Sequence, residues 1–379
     1  MPVSDRLKRL HDAGVSIWLD FIERTMLRNG DLERRIREEA LTGMTSNPTI
    51  FEKALAEGNA YDDQIRTAPG DFTAMELFEL VATTDVRDAC DLFQVVYEAE
   101  KGTDGFVSIE VSPAAAHDLL NTVSEAQRLW STVDRPNVMI KVPGTPEGAD
   151  ATRRLIASGI NVNITLLFSL EAYRRVIEAY IAGLEERVSA GKDIRGIASV
   201  ASFFVSRVDT EVEKRLDSLG KSLDKKKVDA LRGKAAIANA KLAYQIFQRE
   251  FSSPRWKKLE AKGASVQRVL WASTSTKNPA YRDVMYVEQL IGPHTVNTMP
   301  PQTVTAFADH GEVERTVDKD LGAAEAVIRD LGHLGVSIDD VTAKLLVDGL
   351  ASFQKSYDTL ISGLAKKTKA LGRDLVASR

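Results

Sequence analysis

Eight short apolar segments recur along the chain, each ending in small or polar residues and each followed by a stretch with helical periodicity. Stretches such as SLEAYRRVIEAYIAGLEERVSAG (169–191) space their apolar residues three and four apart, which is typical of helices packed on one face. Strands that alternate with helices favour right-handed βαβ units and a parallel sheet. The predicted strands are 15–20, 41–48, 105–111, 138–143, 161–167, 196–204, 268–274 and 294–300.

Eight such units predict a closed (β/α)₈ barrel of the TIM type rather than an open, doubly wound sheet. No G-x-G-x-x-G or G-x-x-x-x-G-K-[ST] motif follows a strand, which weakens a nucleotide-binding alternative. Because no low-complexity linker interrupts the sequence, we expect residues 1–379 to form a single domain.

Three segments are longer than a minimal crossover and predict additional helices: 49–104 after the second strand, 208–262 after the sixth, and 301–379 after the eighth. The lysine cluster KSLDKKK (221–227) is interpreted as a solvated helix–helix corner, with a binding patch as the alternative. We expect the basic C-terminal stretch 364–379 to be frayed. The sequence indicates only a packing role for the last two segments.

Charge and cysteine content narrow the class of protein. A net charge of -4 and a pI of about 5.9 argue against a chain that coats nucleic acid or an anionic membrane. The single cysteine, Cys90, excludes an internal disulfide and is interpreted as an apolar filler in a helix. No apolar run reaches the roughly 18–20 residues of a membrane span, and no signal peptide is evident. We therefore expect a cytoplasmic protein.

Alternation along the strands predicts which side chains point into the barrel. In NVNIT, Asn161, Asn163 and Thr165 share one face, and because the other face must meet helices, the polar face belongs inside. The residues expected to face the helices are Val162, Ile164 and Leu166.

Other strand ends contribute charged and amide side chains. Asp20, Glu110 and Lys141 lie close to the ends of the first, third and fourth strands, and Asn47 lies at the end of the second. All four therefore fall near the same barrel mouth. On its own, each has a structural interpretation: an exposed lysine, acids that cap helices or form ion pairs, and an asparagine in a turn. Because barrel chemistry is assembled from several strand ends, their joint placement favours a reaction centre.

Lys141 lies inside the apolar run VMIKVP, where burial disfavours a charged ammonium. An uncharged amine is a nucleophile that condenses with carbonyl groups. Burial therefore predicts a reactive lysine.

Seven stretches that occur in order over residues 15–281 resemble the transaldolase family. They are SIWLDFIERT, GMTSNPTIFEKAL, VSIEVSP, VMIKVPGTPEG, NVNITLLFS, ASFFVSRVD and WASTSTKNPAY. The resemblance implies a class I aldolase-type barrel in which Lys141 forms a Schiff base with the C2 carbonyl of a ketose phosphate. The implied reaction moves a dihydroxyacetone unit from sedoheptulose 7-phosphate or fructose 6-phosphate to erythrose 4-phosphate or glyceraldehyde 3-phosphate, in the pentose phosphate pathway.

The same resemblance implies roles for further residues. Asp20 is the acid/base at the C4 hydroxyl, Glu110 serves the imine steps, and Thr165 helps to hold a water near Glu110. Asn47 and Ser202 bind the hydroxyls of the dihydroxyacetone unit, Asn163 is a suitable further partner, and Arg207 binds phosphate. No metal or cofactor is required, since the imine replaces the Lewis acid of a zinc aldolase. We expect sugar phosphates as ligands and a monomer or homodimer.

One stretch departs from the family pattern. Where better-known members pair a serine with an arginine on the phosphate, STSTKN offers Ser275 and Lys277. Lysine holds phosphate as a point charge and not through a bidentate pair of hydrogen bonds. Lys277 is therefore a weaker candidate for phosphate binding than Arg207.

Two other functions compete with transfer. A Schiff-base aldolase would release free dihydroxyacetone, but the short fructose 6-phosphate aldolases that resemble this family replace the acid found here as Glu110. A non-catalytic barrel that binds sugar phosphates would need Arg207 but neither Lys141 nor both acids.

Overall fold

Eight parallel strands close into a barrel in chain order, with the first strand paired to the last. The structure, a computed structural model, describes residues 4–56, 58–219 and 225–376. The strands are β1 (Val15–Asp20), β2 (Leu41–Thr45), β3 (Phe106–Glu110), β4 (Val138–Pro143), β5 (Val162–Leu167), β6 (Ser199–Phe204), β7 (Arg268–Ala272) and β8 (Thr295–Met299). The predicted (β/α)₈ fold is confirmed, whereas the single domain over 1–379 stays a prediction.

Helices surround this barrel and extend it where the long segments predicted them. Before β4 lie α1 (Asp5–Asp12), α2 (Arg24–Arg28), α3 (Asp31–Glu38), α4 (Pro48–Ala56), α5 (Asp62–Thr67), α6 (Ala74–Ala99), a 3₁₀ helix (Pro113–His117) and α7 (Leu119–Val133). Between β4 and β7 lie α8 (Pro146–Ser158), α9 (Leu170–Ser189), α10 (Ser206–Ser218), α11 (Lys225–Asp229), α12 (Ala235–Glu250) and α13 (Pro254–Glu260). The remainder are α14 (Met285–Glu288), α15 (Pro301–His310), α16 (Leu321–His333) and α17 (Ile338–Ala370). None of the helices in the described ranges is long and apolar enough to cross a bilayer.

Local sequence signals set where several of these helices begin. The side chain of Thr73 accepts a hydrogen bond from the backbone N–H of Glu76, and the Glu76 side chain reciprocates at the start of α6. Asp118, Thr145 and Ser169 cap α7, α8 and α9 in the same way, each with a side-chain oxygen on a backbone N–H. Such caps satisfy amides that the first helical turn leaves without partners.

The N-terminal end of the barrel is filled by packed side chains. Trp18 is fully buried there, and a Cβ at Gly43 would lie only 2.5 Å from its Nε1, so glycine is required opposite the indole. Asp104 accepts a hydrogen bond from Trp18 Nε1 at 2.9 Å and pairs with Arg268 at 3.3 Å. This closed end leaves the C-terminal ends of the strands as the open face, as is usual for this fold.

The prediction that Leu166 faces the helices is wrong. The pairing of β5 with β6 shifts register between Ile164 and Leu167, and Leu166 adopts a positive φ of 58°. This irregularity breaks the alternation, so Leu166 lines the mouth of the barrel, close to Gly349 of α17.

The predictions for the two basic segments, 221–227 and 364–379, have different outcomes. Residues 221–224 of the predicted lysine corner lie outside the described residues, whereas Lys225–Lys227 begin α11 with exposed side chains, as a solvated corner requires. The prediction of a frayed tail is wrong for 364–376. Lys367 donates to the carbonyl oxygens of Leu55 and Gly58 at 2.9 and 3.0 Å, and Arg373 donates to that of Ile65 at 2.6 Å. The last residues of that stretch, 377–379, are not among those described.

Cys90 is fully buried on α6, and burial raises the pKa of its thiol. Its interpretation as an apolar filler is confirmed.

Candidate active site

The C-terminal ends of the strands surround a cavity of about 650 Å³. The ten side chains that were predicted to have a catalytic or binding role all line it: Asp20, Asn47, Glu110, Lys141, Asn163, Thr165, Ser202, Arg207, Ser275 and Lys277. Their roles stay predictions, but the joint placement expected from the strand ends and from the family resemblance is present.

Lys141 of β4 is buried, with 8% of the residue exposed, and it is paired. Its Nζ lies 2.8 Å from Oε1 of Glu110 and donates a hydrogen bond to the carbonyl oxygen of Ser46, also at 2.8 Å. Glu110 and Lys141 are register partners on β3 and β4, so the barrel places their side chains next to each other. The apolar flanks alone had predicted an uncharged amine. Burial by itself therefore does not account for a reactive lysine, and the neighbouring carboxylate must enter the argument.

The site perturbs the protonation of Glu110, the partner of Lys141. Burial raises the pKa of its carboxyl, the charge and hydrogen bond of Lys141 oppose that effect, and the negative charge of Asp20 adds to it. No described residue donates a hydrogen bond to its Oε2. A carboxyl with a raised pKa beside an amine can take up and release a proton, as general acid–base catalysis requires.

Asp20 at the end of β1 is held by two neighbours from the β2 end. Thr45 Oγ1 donates to Asp20 Oδ1 at 3.0 Å, and Asn47 Nδ2 lies 3.5 Å from the same oxygen. Asn47 Oδ1 also accepts a hydrogen bond from the backbone N–H of Ile50 at 3.0 Å, at the start of α4. Asn47 therefore stabilises the turn before α4, as its structural interpretation suggested, and also lines the cavity.

A short chain of hydrogen bonds fixes the amide of Asn163 on β5. Its Nδ2 donates to Ser108 Oγ at 3.1 Å, and Ser202 Oγ donates to its Oδ1 at 2.7 Å. Asn161, predicted on the same face, instead donates to backbone carbonyls of the β3–β4 region and does not line the cavity. The polar face of β5 thus divides into a structural residue and two cavity residues, Asn163 and Thr165.

Two cations line the cavity on its β6–β7 side. Arg207 is half-buried in the first turn of α10, with its Cζ 5.1 Å from the centroid of the Phe204 ring. Burial lowers the pKa of Arg207 and the charge of Asp20 opposes this, but a guanidinium stays charged at neutral pH. Lys277 is exposed, and its Nζ donates to Ser275 Oγ at 2.8 Å. The site can therefore bind an anionic group.

Sequence reasoning missed how the two cation-bearing segments are connected. Glu213 of α10 accepts hydrogen bonds from Tyr281 Oη and from Asn278 Nδ2, the latter at 3.4 Å, and both donors follow Lys277 in the chain. One carboxylate thus ties the loop of Lys277 to the helix that carries Arg207. No local motif in the sequence signals this contact between distant segments.

Asp209, two residues beyond Arg207, gives a prediction for stability. It is buried, accepts hydrogen bonds from the backbone N–H of Ala236 and from Tyr286 Oη, both at 2.8 Å, and burial raises its pKa from 3.8 to about 6. A carboxyl whose pKa is higher in the folded than in the unfolded protein stabilises the fold fully below its unfolded-state pKa. This contribution is lost as the pH rises through its folded-state pKa. The unfolding free energy of the wild type should therefore fall by ~3 kcal/mol between pH 4 and 7, and Asp209→Asn should lack this fall.

Urea unfolding of both proteins at several pH values measures this difference. Asp63→Asn is the control, because the Asp63 side chain is 98% exposed and its replacement should leave the pH dependence unchanged. Parallel curves for the wild type and Asp209→Asn would contradict the prediction.

Helix α17 had no predicted function, yet four of its residues line the cavity: Gly349, Ser352, Phe353 and Ser356. Their spacing of three, four and seven marks one helix face, so a signal was present. It does not say which surface that face meets.

A closed (β/α)₈ barrel whose strand ends bring an amine, two carboxylates and two cations to one cavity defines a class of barrel enzymes with a polar site at the C-terminal face. Within that class the sequence profile of Transaldolase/Fructose-6-phosphate aldolase matches residues 17–364, and the chain belongs to this family.

Relatives agree over nearly full length. The chain is 48% identical over 376 residues to a Transaldolase of Trichodesmium erythraeum, covering 97% of this chain and 99% of the relative. It is 49% identical over 366 residues to a Transaldolase of Thermobifida fusca, covering 96% and 98%. It is 45% identical over 375 residues to a Transaldolase 2 of Nostoc sp., covering 97% and 98%. The prediction of a transaldolase, and thus of a transferase, is confirmed.

Proposed function

We propose that this chain transfers a dihydroxyacetone unit between sugar phosphates through a Schiff base on Lys141. The donors are sedoheptulose 7-phosphate and fructose 6-phosphate, and the acceptors are glyceraldehyde 3-phosphate and erythrose 4-phosphate. The observation that carries the proposal is the 2.8 Å contact between Lys141 Nζ and Glu110 Oε1 in the wall of a cavity that Asp20, Arg207 and Lys277 also line.

Imine formation requires an amine without its extra proton. Glu110 takes that proton from Lys141, and the free amine attacks the C2 carbonyl of the ketose. A second proton passes from the attacking nitrogen to the carbonyl oxygen, and Glu110 then protonates the resulting hydroxyl, which leaves as water. The raised pKa of Glu110 supports this exchange, because the carboxyl then holds a proton more readily than an ordinary glutamate. Thr165 is proposed to hold the water that is released and later consumed.

Carbon–carbon cleavage uses the second carboxylate. Asp20 removes the proton of the C4 hydroxyl, the C3–C4 bond breaks, and its electron pair moves into the iminium to give an enamine and a free aldehyde. The acceptor aldehyde then reacts with C3 of the enamine, and Asp20 returns the proton to the new hydroxyl. Hydrolysis of the resulting iminium releases the product ketose and restores the Lys141 amine.

Neutral polar groups are proposed to hold the three-carbon unit between the two aldehydes. Asn47, Asn163 and Ser202 line the cavity as amide and hydroxyl partners for its hydroxyl groups. The hydrogen bonds between Asn163 and Ser202, and between Asn47 and its own turn, support their preorganisation. Arg207, with Ser275 and Lys277, is proposed to bind the phosphate.

The two cations should contribute unequally. Arg207→Ala is expected to raise the KM for fructose 6-phosphate about 100-fold, because a half-buried guanidinium makes strong charge-assisted hydrogen bonds. Lys277→Ala should raise it less than about tenfold, because Lys277 is exposed and screened by solvent. Steady-state kinetics measure both, with unphosphorylated fructose as the control substrate that neither change should affect selectively. A larger effect at Lys277 would reverse the ranking.

A coupled assay separates the proposed function from its alternatives. With fructose 6-phosphate alone, the transferase should release about one equivalent of glyceraldehyde 3-phosphate per active site, and continuous release should require erythrose 4-phosphate. Continuous release of free dihydroxyacetone at the same rate without acceptor would identify an aldolase instead. Binding without turnover, and without an adduct after borohydride treatment, would identify a non-catalytic barrel.

The pentose phosphate pathway and the cytoplasm are the proposed setting. The proposed substrates support the pathway, and a chain with a single, buried cysteine is consistent with a reducing compartment. A monomer or homodimer stays a prediction.

A further inference from the structure

Helix α17 crosses the mouth of the barrel from one side to the other. Near its N-terminal end it contacts α10, where Arg215 donates to the carbonyl oxygen of Asp340 at 3.1 Å. Farther along it contacts α4, where Thr49 Oγ1 donates to Ser356 Oγ at 3.0 Å. Helix α10 follows β6 and α4 follows β2, and these strands are four places apart in a ring of eight. The helix is therefore anchored on opposite sides of the site.

The middle of α17 lies close to the strand ends. A Cβ at Gly349 would be 3.1 Å from Leu166 Cδ2, so the glycine permits the close approach of the helix to the cavity rim. Beyond Ser356, Lys367 pairs with Asp62 at 3.1 Å and holds the distal part of the helix against the α4–α5 region. These contacts make the cavity-lining face of α17 a fixed wall.

Phe353 is the one large apolar side chain among the four α17 residues that line the cavity. It also lines an adjoining cavity of about 860 Å³, together with Glu110, Asn47 and Pro48. A half-buried side chain that lines both cavities forms part of the partition between them. Its removal would widen the connection between the two spaces, both of which Glu110 also lines, and would admit more water.

We propose that Phe353 decides how the enamine intermediate partitions between transfer and hydrolysis. The inference rests on the proposed function, in which the three-carbon enamine on Lys141 must survive until the acceptor arrives. In the competing reaction, a proton from solvent adds to C3 and gives the iminium of dihydroxyacetone. Water then adds to C2, the C–N bond breaks, and free dihydroxyacetone leaves with the amine restored. An apolar wall that keeps solvent away from C3 disfavours the first step, which commits the enamine to this loss, whereas the later hydrolysis is shared with the productive cycle.

Two rates test the proposal in each variant: dihydroxyacetone release from fructose 6-phosphate without acceptor, and transfer with saturating erythrose 4-phosphate. Phe353→Ala should raise the ratio of release to transfer about tenfold or more, whereas Phe353→Leu, which keeps an apolar wall, should raise it much less. Val347→Ala is the matched control, because Val347 lies on the same helix, is 66% exposed and does not line the cavity. Its ratio should equal that of the wild type.

The outcomes are distinguishable. An unchanged ratio in a folded Phe353→Ala protein that still forms a borohydride-trapped adduct would overturn the role of Phe353 and leave the transferase proposal standing. Absence of both adduct and transfer in the wild type would instead overturn the proposed function. If Phe353→Ala does not fold, Phe353→Gln keeps the length of the side chain but attracts water. It is expected to raise the ratio, and an unchanged ratio would again overturn the inference.

Discussion

Lys141→Ala is expected to abolish transfer, with a loss of at least about 10⁴-fold in kcat, because the variant lacks the amine on which the covalent intermediate is proposed to form. The barrel should still fold, since Glu110 can take up a proton when its cationic partner is removed, and its pKa is already raised by burial. Borohydride reduction in the presence of fructose 6-phosphate, followed by peptide mass spectrometry, should find the adduct on Lys141 in the wild type and none in the variant.

Lys53 offers a matched control for this experiment, because it lines the same cavity. Lys53→Ala should keep the adduct on Lys141 and most of the turnover. An adduct that persists in Lys141→Ala, or that disappears in Lys53→Ala, would show that Lys141 is not the lysine that forms the Schiff base.

Glu110→Gln should lower kcat by roughly 10²–10⁴-fold, the usual contribution of a general acid–base group. The amide keeps the size and hydrogen-bonding capacity of the carboxylate next to Lys141 but cannot carry a proton between the amine and the departing hydroxyl. Trapping of the adduct in a single turnover should show that imine formation is the slowed step.

The pH dependence of imine formation adds a second readout. If Glu110 accepts the proton of the amine, the wild-type rate must fall as the pH drops through the pKa of this carboxyl and protonates it. Because burial raises that pKa, the acid limb should lie at higher pH than for an ordinary glutamate. Glu110→Gln should lack this limb, while Glu110→Asp should keep one. The same limb in the Gln variant would show that another group titrates.

Features that depend on neighbours in the chain were predicted correctly from the sequence more often than features that depend on contacts between distant segments. Alternation with a period of two placed Glu110, Lys141 and Asn163 on the inner face, because backbone geometry alone decides which side of a strand a residue occupies. The same rule failed at Leu166, where a register shift interrupts the alternation. Nothing in the local pattern of β5 signals that irregularity.

The site was predicted less completely than the fold. The carbonyl oxygen of Ser46 that accepts from Lys141 is 95 residues away in the chain, and Thr49 contacts Ser356 across 307 residues. Periodicity reports only which face of an element is apolar, so it could not show that α17 closes the mouth or that Glu213 ties the loop of Lys277 to α10.

By itself, the sequence determined the alternation of strands and helices, the inward direction of the catalytic candidates and the family to which the chain is similar. These depend on neighbours in the chain and on short motifs. Only the tertiary structure decided that Lys141 has a carboxylate partner, that the basic C-terminal stretch is anchored through Lys367 and Arg373, and that Phe353 stands between two cavities. Each of these depends on distances between segments far apart in the chain, which are set when the complete barrel packs.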